Sequence, residues 1–193
     1  MLYFTSDTHF GHAAVLDFCN RPFKDVRHME EQLVKRINSR VKPTDTLVIV
    51  GDGFFTSSGQ RHKILEKING TKILVQGNHD KGKTQIKGFD LTVQSMDLLI
   101  AGKRVSVSHY PFKPERFKLR MPWWKALLCD IENLVRFYHK RLKDEGQYLI
   151  HGHTHSRKRF EGRLLHVGCD AWDWYPVSIT QIESYIAKQE NNR

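Results

Sequence analysis

Cysteine is scarce: three in 193 residues, at Cys19, Cys129 and Cys169, an odd number with no paired spacing. That excludes a disulfide framework and a thiolate zinc knuckle, both of which need patterned pairs. Long apolar runs are missing too. No stretch approaches the roughly 18 apolar residues of a membrane span, and Met1-Leu2-Tyr3-Phe4-Thr5 has the look of a strand, without the basic-then-apolar layout of a leader. A cytoplasmic protein with no membrane association is the expectation. Repeats and low-complexity linkers are also lacking, and the length suits one well-buried core, so a single domain over 1–193 is expected. Acidic residues are the last deficit: 21 Asp and Glu face 31 Lys and Arg, a formal net charge of +10. A surface of that sign favours anionic partners such as nucleotides, nucleic acid or phosphorylated groups.

What is present is periodic. Leu2 to Ser6 is a short apolar strand, and His28 to Val41 sets Met29, Leu33, Ile37 and Val41 at helical spacing. Thr46 to Val50 is a continuous β-branched run of the kind buried on both faces of a parallel sheet. Arg61 to Ile68 is a short helix stopped by Asn69-Gly70, and Lys72 to Val75 is the third strand. This βαβαβ run predicts parallel strands with their carboxyl ends along one edge, where the ligand crevice of an open α/β sheet lies. Downstream, Leu98 to Ala101 and Val105 to Val107 predict an antiparallel hairpin. Tyr148 to Ile150, Leu164 to Val167 and Val177 to Thr180 read as further strands, followed by a polar, fraying helix from Gln181.

One segment differs from the rest. Trp124, Leu127, Leu128, Ile131, Leu134, Val135, Tyr138 and Leu142 fall on one helical face, and from Lys113 to Lys143 nine Lys and Arg stand against three acids, a net of +6. A basic amphipathic helical insertion at about 112–146 is expected. It either lies on the sheet with a solvated basic face or caps the crevice and gathers an anionic substrate.

The predicted strands end on chemistry. Asp7 and His9 follow the first, Asp52 the second, Asn78-His79-Asp80 the third and His109 the hairpin, and His151-Gly152-His153-Thr154-His155 follows Tyr148 to Ile150. Extended backbone puts residues two apart on one side, so this last stretch aims several imidazoles at one place, while glycine admits close backbone approach. The bland alternative is an exposed turn with surplus histidines. Two carboxylates, an amide oxygen and several imidazoles suit borderline or hard divalent cations. The set exceeds what one ion needs, so a pair about 3.5–4 Å apart, sharing a carboxylate, is the economical arrangement. With neutral His and Asn, two Asp and one hydroxide, the charges sum as +4 −2 −1 to about +1, which attracts phosphate.

Asp7-Thr8-His9, Gly51-Asp52, Gly77-Asn78-His79-Asp80, His109 and Gly152-His153-Thr154-His155 resemble, in order, the five signature motifs of the calcineurin-like metallophosphoesterase superfamily. Ser6 to His12, Asn20-Arg21-Pro22-Phe23 and Ala171-Trp172-Asp173 resemble a group of small predicted phosphoesterases of bacteria and phages. The resemblance implies an α/β fold of two facing mixed β-sheets flanked by helices, the four-layer metallophosphoesterase sandwich. It implies two divalent metal ions, one held by Asp7, His9, Asp52 and His155, the other by Asp52, Asn78, His109 and His153. Manganese is the first choice, with iron, zinc or nickel as alternatives. His79 matches the histidine that meets the phosphate and protonates the leaving oxygen after in-line attack by a metal-bridging hydroxide. A phosphodiester, as in nucleotides or nucleic acid, is favoured by the basic surface, against a nucleotide monoester or a phosphoprotein. The rival from another class is a protein-binding scaffold on the same fold. Such members are expected to lose ligands, whereas every matched position here is filled.

One departure stands out: many relatives carry Asp or His three positions after the shared aspartate, where this chain has Phe55. That leaves Asp80 as the candidate to orient His79. His12 and Arg21, in the loop after the first strand, are candidate contacts for the substrate phosphate, Arg by its bidentate geometry, with loop stabilisation as the alternative. His151 reads as packing or support behind the ligands, and His166 is open between crevice and core. Trp172 and Trp174 read as core or rim aromatics.

Overall fold

A computed structural model describes residues 1–80, 85–113 and 137–192. β1 (Leu2–Thr5), β2 (Thr46–Val50) and β3 (Thr71–Val75) run parallel, with Phe4 opposite Val48 and Val48 opposite Ile73. The apolar run of β2 has no polar face to spare: Val48 and Val50 enter one core cluster, Leu47 and Ile49 the other. Between these strands lie a single turn, α1 (Val15–Phe18), then α2 (Val26–Arg40) and α3 (Ser58–Leu65). Asp25 caps α2 by accepting the His28 backbone N–H at 2.8 Å, and Ser57 caps α3 through Gln60. Each such cap stabilises by about 1 kcal/mol. Met29, Leu33 and Ile37 of α2 and Ile64 and Leu65 of α3 pack on the face of the sheet that presents Leu47, Ile49 and Leu74.

β4 (Leu91–Val93) adds in parallel to β3. The chain then enters a second sheet: β5 (Met96–Ile100), β6 (Lys103–Val107), β7 (Tyr148–His151), β8 (Phe160–Glu161) and β9 (Leu164–His166), in the order β5-β6-β7-β9-β8. The β5–β6 hairpin turns through Ala101 and Gly102, both at positive φ. β6, β7 and β9 are parallel and the outer pairs antiparallel. β10 (Val177–Ser178) returns to pair antiparallel with β1, giving the first sheet the order β10-β1-β2-β3-β4, and α4 (Ile179–Asn191) closes the chain. Phe4, Val48, Val50 and Val75 face Val105, Val107, Ile150 and Leu165 across the inter-sheet core. The fold is the expected α/β pair of mixed five-stranded sheets with helices on the flanks.

One local expectation changes. The closing helix starts at Ile179, and Ser178 and Gln181 cap it reciprocally. Its Ile182 and Ile186, one turn apart, are buried in the inter-sheet core, so it is anchored where a fraying tail was expected. Truncating either side chain to alanine costs about 2–5 kcal/mol. β4 and β8, at three and two residues, were too short to carry a period. The predicted basic amphipathic face lies mostly outside the described residues. Of its last members, Tyr138 sits in a 3-10 turn, Tyr138–Lys140, and Leu142 lies beyond that turn.

Candidate metal centre

Every ligand candidate lies within four residues of the carboxyl end of a strand: Asp7 and His9 after β1, Asp52 after β2, Asn78 after β3, His109 after β6, His153 and His155 after β7. The loops are stitched to one another. Asp7 N–H donates to Gly51 O at 3.1 Å, His9 N–H to Asp52 O at 3.2 Å, and Gly152 N–H to His109 O at 3.1 Å. Across the sheets, His153 N–H donates to both carboxylate oxygens of Asp7, at 3.2 and 3.0 Å. Among the described residues, nine other than glycine have a clearly positive φ, and five of them are Asp7, His9, Asp52, His153 and His155. Each such left-handed residue costs on the order of 1 kcal/mol or more, and persists only where its surroundings over-determine it. Two glycines make room. A Cβ at Gly77 would lie 2.2 Å from Asp52 Oδ1, and one at Gly152 only 1.9 Å from Ser6 Oγ and 2.5 Å from Asp7 Oδ2.

The donor atoms form two clusters, Asp7 with His9 and His155, and Asp52 with His109 and His153, each set within 4.8 Å of one another. Asn78 Oδ1 joins the second, 3.2 Å from His109 Nε2. Asp52 Oδ2 stands 3.4 Å from His109 Nε2 and 3.9 Å from His79 Nε2, while its Oδ1 accepts the His79 backbone N–H at 2.9 Å. Three of the imidazoles are held from behind. His109 Nδ1 donates to Val50 O at 2.9 Å, His155 Nδ1 is 3.2 Å from Asp170 Oδ2, and His9 Nδ1 is 3.0 Å from His12 Nδ1. That pattern turns each Nε2 toward the pocket, as partners behind metal-binding histidines do. His9 Nε2 is buried with no hydrogen-bond partner in the protein. An atom of that kind fits a cation.

Charge makes the same point. Burial pushes the Asp7 carboxyl up, against the pull of His109 and His155. Burial would raise Asp52 too, but its hydrogen bond to His109 and that ring's charge hold it well below the usual carboxylate range. Reciprocally, burial favours neutral His109, yet the Asp52 hydrogen bond and the charges of Asp52 and Asp7 push it up to about 9. His155 is likewise pushed up to about 10, against burial, by Asp170, Cys19 and Asp7. His9 and His153 fall to about 2 and about 3, through burial and then the neighbouring His155 and His109. Two buried carboxylates thus demand positive charge, which protons supply at two rings and divalent ions would supply to both clusters. A third grouping, Cys19 with His155 and Asp170, lies behind the His155 ring. Its carboxylate is already neutralised by Arg21, so it is the weaker cation site of the two that share His155.

The remaining candidates fall into place around these clusters. Arg21 does not face a substrate: its side chain is 0% exposed, it grips both oxygens of Asp170 at 2.8 Å, and it donates to Asp7 O at 2.7 Å and Thr8 O at 2.9 Å. Of the two roles open to this fork, phosphate contact and loop stabilisation, its contacts are those of the second. His12 stands at the rim, behind His9, with its ring stacked 4.1 Å from that of Phe55. Asp80 does not orient His79; its Oδ2 accepts the backbone N–H groups of Asp52 at 2.8 Å and Gly77 at 2.9 Å. The His79 ring packs on Phe55 instead, with centroids 4.3 Å apart. His151 is buried, bonded to Gly152 O, and His166 is buried beside it. Trp172 joins the inter-sheet core, and Trp174 packs against Phe23 at the edge of the other cluster. Sequence reasoning missed Asp170, whose only signal was an acid set between Cys169 and Ala171 in an otherwise apolar stretch.

A two-sheet sandwich with carboxylates and imidazoles gathered at its strand ends defines a metal-dependent phosphoesterase. The chain belongs to the calcineurin-like phosphoesterase superfamily, whose domain model matches residues 1–169. It is 38% identical to the uncharacterized protein MJ1445 of Methanocaldococcus jannaschii, over 97% of this chain and 92% of that one. It is 29% identical to the gene 66 protein of Mycobacterium phage L5, over 88% and 86%. A crystal structure of AQ665 from Aquifex aeolicus, a protein of unknown function, superposes with a TM-score of 0.65 at 29% identity, over 96% of this chain and 98% of that one. The family implies divalent metal ions and phosphate-ester substrates, and among the described residues no helix is long and apolar enough to cross a membrane.

Proposed function

We propose that the protein hydrolyses phosphodiesters, as in nucleotides or nucleic acid, with a pair of divalent ions, manganese first and iron, zinc or nickel as alternatives. The observation that carries this reading is the pair of adjoining donor clusters, Asp7/His9/His155 and Asp52/His109/His153. Asp52 is the shared ligand in this proposal, and Asn78 completes the second set. Bound ions supply charge for the phosphate oxygens and a water ionised near neutral pH for in-line attack. The chain's own residues do the rest. Val50, His12 and Asp170 fix three ligand rings from behind, and Arg21 fixes Asp170. His79, pinned through its backbone N–H to Asp52 and packed on Phe55, hands a proton to the leaving oxygen. The +10 charge draws in the anion, and the basic segment at about 112–146, read as part of a single domain over 1–193, holds a net +6 of it between Lys113 and Lys143. A cytoplasmic setting belongs to the same reading, supported by Cys19 and Cys169 both standing as free thiols.

The test is hydrolysis of bis(p-nitrophenyl) phosphate with manganese, comparing wild type with Asp52→Asn and His79→Ala. Wild type should turn over, stop in excess chelator and recover on metal addition; Asp52→Asn should be inert, and His79→Ala should keep most of its rate on this good leaving group. If all three are equally inert across a range of metals, the protein-binding scaffold takes its place. Faster release from p-nitrophenyl phosphate than from the diester would put monoesters first. A nuclease should lose binding steeply with salt, and a small-nucleotide enzyme shallowly.

A further inference from the structure

Phe18 is an anomaly of placement. The residue is 58% exposed, in a set of exposed large apolar residues that also includes Met1, Leu91, Leu99 and Tyr138. Leu91 and Leu99 lie on the outermost strands of the two sheets, and Tyr138 lies in a 3-10 turn. Phe18 instead ends α1 directly over the ligand histidines. Its ring centroid is 5.7 Å from His155 at an interplanar angle of 87°, 6.3 Å from His9 at 79° and 5.7 Å from His12 at 59°. Beside it, Phe55 is stacked on His12 at 4.1 Å and 13° and on His9 at 4.8 Å and 16°, and touches His79 at 4.3 Å. A row of flat rings, from Phe18 through His12 and Phe55 to His79, thus runs along one margin of the pocket and ends at the residue assigned the proton transfer.

The geometry points to this row as a subsite for the nucleobase of a nucleotide substrate, with the exposed face of Phe18 as the surface on which the base lies. The inference rests on the phosphate site proposed above and deepens it. A phosphate held at the clusters places whatever it is esterified to beside the row. A flat base would cover an apolar ring otherwise left in water, and bases stack on aromatic side chains whatever their identity. Phe18 meets His155 and His9 with its ring nearly perpendicular to theirs, and more than half of the residue stays open to solvent. A sugar phosphate without a base would reach the same metals and leave Phe18 bare.

Binding separates these cases without any turnover. Manganese-loaded protein is titrated calorimetrically with inorganic phosphate, ribose 5-phosphate and adenosine 5′-monophosphate. Wild type should bind the nucleotide about tenfold or more tightly than the sugar phosphate, the size of one stacked base. Phe18→Ala and Phe18→Leu should both bring the ratio close to one while the phosphate Kd stays put, and Phe18→Trp should keep it. The leucine variant retains an apolar side chain and lacks only the flat face, so it answers for packing. An unchanged ratio in Phe18→Ala, or a full ratio in Phe18→Leu, overturns the subsite. If phosphate itself fails to bind the loaded wild type, the phosphate site is wrong and the subsite falls with it.

Discussion

Arg21 and Asp170, separated by 149 positions, meet as a buried two-pronged ion pair with both contacts at 2.8 Å. The pair joins two ligand segments: Arg21 holds the carbonyls of Asp7 and Thr8, and Asp170 holds His155 from behind. Asp170→Ala leaves a buried guanidinium without its partner, which should cost about 3–5 kcal/mol of folding stability. Loss of the support behind His155 should also weaken metal binding about 10- to 100-fold. Denaturant unfolding and a calorimetric manganese titration read the two effects separately. Arg21→Lys should rescue little, because an ammonium cannot reproduce the fork.

Part of the acid sensitivity should trace to His166, one of several buried imidazoles whose titration is pulled down. The ring is buried, neither nitrogen has a hydrogen-bond partner in the protein, and burial, then His151 and His155, pull it down to about 3. A folded value below the unfolded one of about 6.5 means that its stability contribution is full above pH 6.5 and is lost as pH falls below it. Unfolding free energy should therefore drop between pH 6.5 and pH 4 by up to about 1.4 kcal/mol per pH unit from this group. His166→Leu should flatten that limb of the profile. A limb of unchanged slope would show that His166 contributes nothing to it.

Glycine geometry offers a control on the ligand loops. Gly152→Ala drives a Cβ into Ser6 Oγ and Asp7 Oδ2, so it should destabilise by about 1–3 kcal/mol and weaken manganese binding. Gly59→Ala, inside α3 with open space at its Cβ, should be neutral or stabilising by about 0.5–1 kcal/mol. Thermal melts with and without metal distinguish the two.

His79 should matter most where the leaving group is poor. His79→Ala should lower kcat about 10²- to 10⁴-fold on an alkyl leaving group and far less on p-nitrophenolate, which leaves without a proton. Metal content should not change. Phe55→Ala, which removes the stacking that positions the ring, should show the same leaving-group dependence at smaller amplitude. Equal losses on both substrates would remove His79 from the proton transfer.

The strand ends were readable because β-branched runs and the residues after them are local features. β2 appeared with its observed bounds, Thr46–Val50, and Asp52 follows it by two residues. α2 shows in its 3.6-residue spacing, read two residues short at its start, where Asp25 supplies the cap. What escaped was non-local or short. Nothing in the chain announces that Arg21 will meet Asp170, so the sequence leaves its guanidinium open between substrate phosphate and loop stabilisation, and the structure spends it on the loop. Asp80 lies next to His79 in sequence, yet the turn aims its carboxylate at the Asp52 and Gly77 amides. Phe55 looked like a missing polar group and is a stacking partner for three imidazoles.

Counting bound metal shows whether Asp52 serves two ions at once. Apo protein titrated with manganese, with bound metal measured after desalting, should take up two ions per chain, and Asp52→Ala should lose high-affinity binding of both. A stoichiometry of one in wild type, or two ions retained by Asp52→Ala, would contradict the account.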